Sequence, residues 1–239
     1  MNKIYKIYNL LFEKYGAQGW WPYLNFDGVN EQKTGNIEGY HIGDYSYPKN
    51  EDQIFEVALG SILTQNTTFV SVIKAMKNLN SKGGITVDDI KALSIEELKE
   101  AIRPAGYFNQ KANYILNYIE FYESLDGRVP RREEVLSVKG VGEETADSIL
   151  LYGYNQAQFK ADAYTKRMLL ELGFISEKAK YKDMKSLMET SLQEITTNEE
   201  ELRIIYQEYH ALIVEHGKHY YSKKPYGVGC FLKDGLFTE

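Results

Sequence analysis

The stretch SVKGVGEETADSILLYG, residues 137–153, decides how this chain is read. Gly140-Val141-Gly142 interrupts two segments of helical apolar spacing, EEVLSV before it and EETADSILLYG after it. Two glycines so placed permit positive φ and let a ligand approach the backbone closely. The N–H groups beyond them open a helix, and a helix N-terminus attracts anions, among them nucleic-acid phosphates. Three glycine-turn residues are a weak motif on their own, and a plain helix–helix connection also accounts for them. Glu143 and Glu144 stand at the mouth of the second helix, where the helix dipole favours carboxylates but a nearby phosphate does not.

Outward from this turn the apolar spacing stays helical. Ile4, Ile7, Leu10 and Leu11 share one face of a first helix that Gly16 should end. Phe55, Ala58, Leu59 and Ile62 form a second stripe, and Phe69, Val72, Ile73 and Met76 a third. Thr86 with Asp89, and Ser94 with Glu97, are capping boxes; Pro104 and Gly106 end the second of these helices. The pattern continues with a helix over about 109–125, N-capped by Asn109, a short helix from about 131, and further helices over about 143–153, 163–172, 179–194 and 197–217. Residues 23–50 have no period and read as an insertion loop with room for a small hairpin. The expected class is all-α: two helical subdomains with a helix-hairpin-helix motif and a cleft between them. Residues 1–50 and 156–239 should make one subdomain, and 51–155 a central bundle ending in the hairpin at about 131–153.

Composition narrows the classes. The chain has 239 residues, 43% hydrophobic and 26% charged, which is globular. No apolar run approaches ~20 residues, so no membrane span is expected, and the N-terminus lacks the continuous apolar core of a signal peptide. Cys230 is the single cysteine, which excludes an internal disulfide and points to a reducing cytoplasm, or association with the nucleoid in a prokaryote. A net charge of −6 argues against bulk attraction to nucleic acid, so any DNA function must rest on a local site.

SVKGVGEETADSILLYG followed by FKADAYTKRMLLELGF resembles the helix-hairpin-helix DNA glycosylases of the endonuclease III superfamily. YGAQGWWP (15–22), FEVALGSILTQNTTF (55–69) and IRPAGYFNQKANYI (102–115) look like segments of its 3-methyladenine glycosylase branch. The resemblance implies that Asp162 is the catalytic carboxylate. Breaking an N-glycosidic bond builds positive charge on the sugar, which a carboxylate stabilises while it orients water. Without the resemblance Asp162 reads as the N-cap of the next helix. Bifunctional members carry a strand-nicking lysine two residues after the second hairpin glycine; here that position holds Glu144, 18 residues before Asp162. Glutamate cannot form an imine, so a monofunctional glycosylase without lyase activity is expected.

By the same resemblance Trp20, Trp21, Pro22 and Phe69 form the base pocket, whose aromatic faces would attract a cationic alkylated purine. Adjacent tryptophans rarely both bury, so at least one should face a cleft. Gln65 and Asn66 would enter the DNA stack where the target base has left. Lys111, Lys139, Gly140, Val141, Gly142, Lys166 and Arg167 are expected to contact the DNA backbone, with a monovalent cation at the hairpin as a further expectation. Tyr40, His41, Tyr45 and Tyr47 of the insertion could extend the pocket or touch DNA. Many relatives hold a four-iron cluster on four cysteines; here only Cys230 remains, with Tyr221 and Gly227 near two expected ligand positions, so no cluster and no metal site is expected. His216, Lys218, His219, Lys223 and Lys224 make the tail locally basic, and His210 and His216 lack metal-site spacing. The expected activity is hydrolytic removal of alkylated purines from double-stranded DNA by a monomer. The alternatives are a mismatch thymine or uracil glycosylase and a non-catalytic DNA-binding protein.

Overall fold

Helical spacing becomes helices with defined caps in the computed structural model, which describes residues 2–237. They are α1 (Lys3–Tyr15), α2 (Glu51–Leu63), α3 (Phe69–Asn80), α4 (Val87–Ala92), α5 (Ile95–Ile102), α6 (Phe108–Ser124), α7 (Arg132–Ser137), α8 (Glu143–Ser148), α9 (Ala163–Glu171), α10 (Tyr181–Gln193), α11 (Glu199–Tyr220) and α12 (Leu232–Phe237). Both expected capping boxes form, at Thr86/Asp89 and Ser94/Glu97. Gly16 ends α1 at φ 64°. No strand forms among the described residues; the insertion contributes one antiparallel bridge, Val29 to Glu38. No described helix is long and apolar enough to cross a membrane.

Three expectations shift. Asn109 does not cap α6; Tyr107 does, in the left-handed region at φ 48° and without a side-chain cap bond. The helix after the hairpin widens into a π turn at Ile149–Gly153. The last long helix runs on to Tyr220, so His216, Lys218 and His219 belong to it and not to a tail. His216 is fully buried, and burial lowers its pKa to about 4, so it adds no charge.

Two apolar clusters organise the packing. One gathers Phe55, Leu59, Ile62, Val72, Leu79, Ile90, Ile115 and Leu150 from α2 to the π turn. The other gathers Ile7, Leu11, Trp20, Trp21, Phe159, Met168, Met188 and Leu212 from both ends of the chain. The π turn joins them: Ile149 and Leu150 face the first, Leu151 and Tyr152 the second. The junction therefore sits directly after the hairpin and before Asp162.

Candidate nucleic-acid cleft and its carboxylate

Three stretches far apart in sequence meet at this junction. They are the turn after α2, the hairpin between α7 and α8, and the segment 159–162 leading into α9. Between them lies a cavity of about 450 Å3 whose walls include Trp21, Ser61, Gln65, Gly142, Glu144 and Lys160.

The hairpin needs its glycine. Gly140 has φ +101°, and a Cβ there would lie 2.1 Å from the Tyr114 ring. Val141 is buried in the bundle core, while Gly142 and Lys139 are exposed. Gly142 caps α8 with no side-chain bond, which leaves the first N–H groups of the helix open to a ligand. The hairpin carbonyls are engaged from within: Val141 N–H donates to Val138 O (3.0 Å), Asn117 Nδ2 to Lys139 O (3.0 Å) and Gln65 Nε2 to Gly140 O (2.9 Å). Glu143 ion-pairs with Arg132 at 3.8 Å, which draws its charge aside from the helix mouth.

Glu144 turns into the cleft, with Oε1 3.6 Å from the Nζ of Lys160, an ammonium only 8% exposed. Desolvation in the cleft raises the Glu144 pKa, the Lys160 charge opposes that, and the Asp162 charge adds to it.

Asp162 does cap α9. Its Oδ1 accepts from Thr165 N–H (2.8 Å) and Thr165 Oγ1 (3.1 Å). The other oxygen, Oδ2, faces His210 Nε2 at 3.6 Å, and the side chain is 12% exposed. Burial pushes the carboxyl pKa up, but in acid, where His210 is an imidazolium, its hydrogen bond and charge, with the Lys160 charge and the Thr165 N–H, outweigh it and hold Asp162 well below the usual carboxylate range. His210 is fully buried on α11; burial first, then the Lys160 charge, lower its pKa to about 4 against the pull of Asp162. At neutral pH the pair is therefore a carboxylate beside a neutral imidazole. The cap and a functional carboxylate are one residue with two oxygens differently used.

Both tryptophans are buried, at 7% and 4% exposure. Trp21 alone reaches the cavity, packed so closely on α2 that a Cβ at Gly60 would lie 2.8 Å from its ring. Trp20 stands behind it, 5.1 Å from Phe69, 6.0 Å from His210 and 6.1 Å from Tyr40 between ring centroids. Pro22 is buried. The insertion packs onto this aromatic loop: the buried His41 ring lies between two carbonyls, Nδ1 2.7 Å from Asp44 O and Nε2 3.1 Å from Trp21 O. Lys33, with a fully buried side chain, donates to Gln18 Oε1 (2.6 Å) and lies 3.4 Å from Glu215 Oε2. Its Nζ sits 5.3 Å from the Trp20 ring and 5.5 Å from the Tyr40 ring, with its pKa lowered by burial to about 8 against the pull of Glu215.

Several of the residues expected to contact DNA have partners within the fold. Lys111 is 1% exposed, and its Nζ donates to Leu63 O (2.7 Å) and Ala105 O (2.8 Å), closing the end of α2; it is no phosphate contact. Lys166 donates to Ala179 O (3.1 Å). Arg167 donates to Tyr221 O (2.8 Å) and covers the Tyr226 ring. Where the resemblance places cluster ligands, Cys230 is buried with its sulfur 3.2 Å from His216 Nε2 and 3.4 Å from the Tyr221 hydroxyl that donates to it. One thiol held by a tyrosine and a histidine does not fit a four-iron cluster, and the described residues hold no group of three or more metal-ligating side chains.

The sequence reading missed Lys33, Lys160, His210 and Tyr107. Tyr107 is 64% exposed and shares a small hollow at the cleft rim with Gln65 and Asn66. Its place after Gly106 was the available signal. His210 is one of several polar residues on α11, and nothing local marks it.

Comparison with known proteins agrees with this geometry. Residues 59–194 match the family described as HhH-GPD superfamily base excision DNA repair protein. A Methanocaldococcus jannaschii protein provisionally named a DNA repair glycosylase is 38% identical, covering 99% of this chain and 96% of the relative. Endonuclease III of Sulfolobus acidocaldarius is 34% identical over 76% of this chain and 80% of its own. Among solved structures, the 3-methyladenine DNA glycosylase of H. pylori bound to 1,N6-ethenoadenine superposes with a TM-score of 0.60 at 30% identity, covering 69% of this chain and 85% of that one. A non-covalent endonuclease III–DNA complex shares the fold, with a TM-score of 0.62 at 22% identity over 74% of this chain and 79% of that one.

Proposed function

The chain belongs to the HhH-GPD superfamily of base excision DNA repair proteins, and on that premise we propose that it is a monofunctional DNA glycosylase that removes alkylated purines from double-stranded DNA. One observation carries the reading: Asp162 is an ionised carboxylate held by Thr165, two residues after Lys160 on the wall of a cavity that Trp21 also lines, with Glu144 where a strand-nicking lysine would stand. A cavity of about 450 Å3 lies in the range of small-ligand sites and leaves room for an extruded base. As the base departs, the Asp162 charge offsets the developing sugar cation and water completes the hydrolysis, leaving an abasic site. The open N–H groups after Gly142, with Lys139 beside them, meet a backbone phosphate. Gln65, Asn66 and the exposed Tyr107 ring face the stack that the base vacates. Likeness to the H. pylori enzyme favours an alkylated purine among substrates.

A second reading, removal of uracil or thymine from mismatches, has a specific observation behind it. The Lys33 ammonium, buried over the Trp20 and Tyr40 rings behind the cavity wall, disfavours by its charge a base carrying a positive charge of its own. The deciding experiment incubates the protein with duplexes carrying 3-methyladenine, 1,N6-ethenoadenine, uracil or a G·T mismatch and identifies released bases by mass spectrometry. Release of alkylated purines supports the first reading, and release of pyrimidines alone replaces it with the second. Borohydride should trap no covalent protein–DNA adduct, and a high-yield adduct would refute the monofunctional assignment.

A further inference from the structure

Two hydrogen bonds fix the tautomer of His210. The Tyr152 hydroxyl spends its proton on Gln207 O (2.9 Å), so its oxygen accepts from His210 Nδ1–H (2.7 Å). A neutral ring protonated at Nδ1 presents a bare lone pair at Nε2. That lone pair faces the Asp162 carboxylate oxygen at 3.6 Å, and Nε2 has no hydrogen-bond partner although the ring is fully buried. Two acceptors cannot satisfy each other, and a buried acceptor without a donor costs free energy. A species carrying two donors, of which water is the smallest, would satisfy both. The neighbouring Trp20 also keeps a buried indole N–H without a partner, and its ring is 6.0 Å from that of His210.

We propose that His210 Nε2 and Asp162 Oδ2 together hold and orient the attacking water, so that His210 is a positioning base of the glycosylase reaction. This rests on the hydrolytic reading above. The water oxygen forms a bond to C1′ of the extruded nucleotide as the C1′–N bond breaks and its electron pair leaves with the base. The water proton passes to Nε2, and the resulting imidazolium is held by the Asp162 carboxylate until it exchanges with solvent. A resting imidazole is required. The groups facing it are Asp162 and Lys160 from the segment before α9, Tyr152 from the π turn and the Lys33 ammonium from the insertion; the low pKa of about 4 has burial and then Lys160 as its main causes.

Two measurements test this. Nitrogen NMR of the histidine-labelled protein at pH 7 should show His210 neutral with the proton on Nδ1. An Nε2–H signal or an imidazolium would overturn the proposal, and this readout does not depend on activity. Base release in water–methanol mixtures then reports how firmly water is held. In His210→Phe the methyl-glycoside to abasic-site ratio should rise about 5-fold or more, while His210→Gln, which keeps an acceptor near Nε2, should rise less. Slower release by both variants with an unchanged ratio would mean a purely structural histidine. If wild type releases no base from any duplex, the glycosylase reading itself fails, whatever the NMR shows.

Discussion

The bundle core and the core built from the two chain ends are made differently. The bundle is an apolar stack of Leu, Ile, Val and Ala with few buried charges, chiefly Glu56, Lys111 and Asp147. The other core buries Lys33, Lys160, Arg203, Glu208, His210, Glu215 and His216 among its aromatic rings. Buried charge is costly unless paired, so it accumulates where it has a task or a partner. The bundle presents the hairpin; the mixed core holds the carboxylate and sets its charge. Chemistry and scaffold thus lie on opposite sides of the π turn.

Asp162→Asn should break that division most visibly. Asparagine caps a helix about as well as aspartate, so the fold should survive, although the stability that the lowered Asp162 pKa contributes at neutral pH is lost. Loss of the charge should slow single-turnover base release by about 1000-fold. Equal release by mutant and wild type would remove Asp162 from the chemistry and leave only its cap.

The reverse case is Leu59→Ala. Leu59 is 1% exposed in the bundle core, and truncation there should cost about 3 kcal/mol in denaturant unfolding. Release by the folded fraction should stay within about 2-fold of wild type. A large rate loss at unchanged folded fraction would show that the bundle does more than present the hairpin.

The two cores should also answer acid with opposite signs. His216 has a folded pKa of about 4 against an ordinary 6.5. The unfolded chain takes up the proton first, so this stabilisation is present above pH 6.5 and is lost as pH falls toward 4. Glu56, buried in the bundle, has its pKa raised by burial from 4.5 to about 7, with the Leu24 N–H opposing. Its contribution is fully present below pH 4.5 and is lost as pH rises through 7. Between pH 7 and 5, His216→Phe should therefore gain about 2 kcal/mol relative to wild type, and Glu56→Gln should lose about as much. Urea unfolding at the two pH values measures both, and shifts of the same sign would contradict the contrast.

The same contrast explains what could be read in advance. Helix spacing, the capping boxes at Thr86 and Ser94, and the two glycines of the hairpin are local signals, and the bundle follows from them. Lys111 in YFNQKA looks like a surface lysine, yet α6 starts at the left-handed Tyr107 and turns that position inward onto the carbonyls of Leu63 and Ala105. Lys33 reads as one polar residue in an aperiodic loop, and only the fold brings it to Glu215, 182 positions later in the chain. Asp162 was legible through its motif, whereas His210 lies 48 residues further on and meets it only by packing. Partners fixed by tertiary contact leave no local trace.

Gln65 tests the seam between the two regions and should give the smallest effect. Its amide donates to Gly140 O and Thr145 Oγ1, tying the turn after α2 to the hairpin. Each such bond contributes about 1 kcal/mol, so Gln65→Ala should weaken binding to abasic-site DNA by roughly 3- to 10-fold through a looser hairpin. No charge is removed, so the slope of log affinity against log salt should not move, whereas Lys139→Ala should lower it by about 1. If Gln65→Ala weakens binding to intact and abasic duplexes equally, its work is to hold the hairpin. If the loss is confined to abasic DNA, the side chain fills the gap in the stack, and the amide must first leave Gly140 to do so.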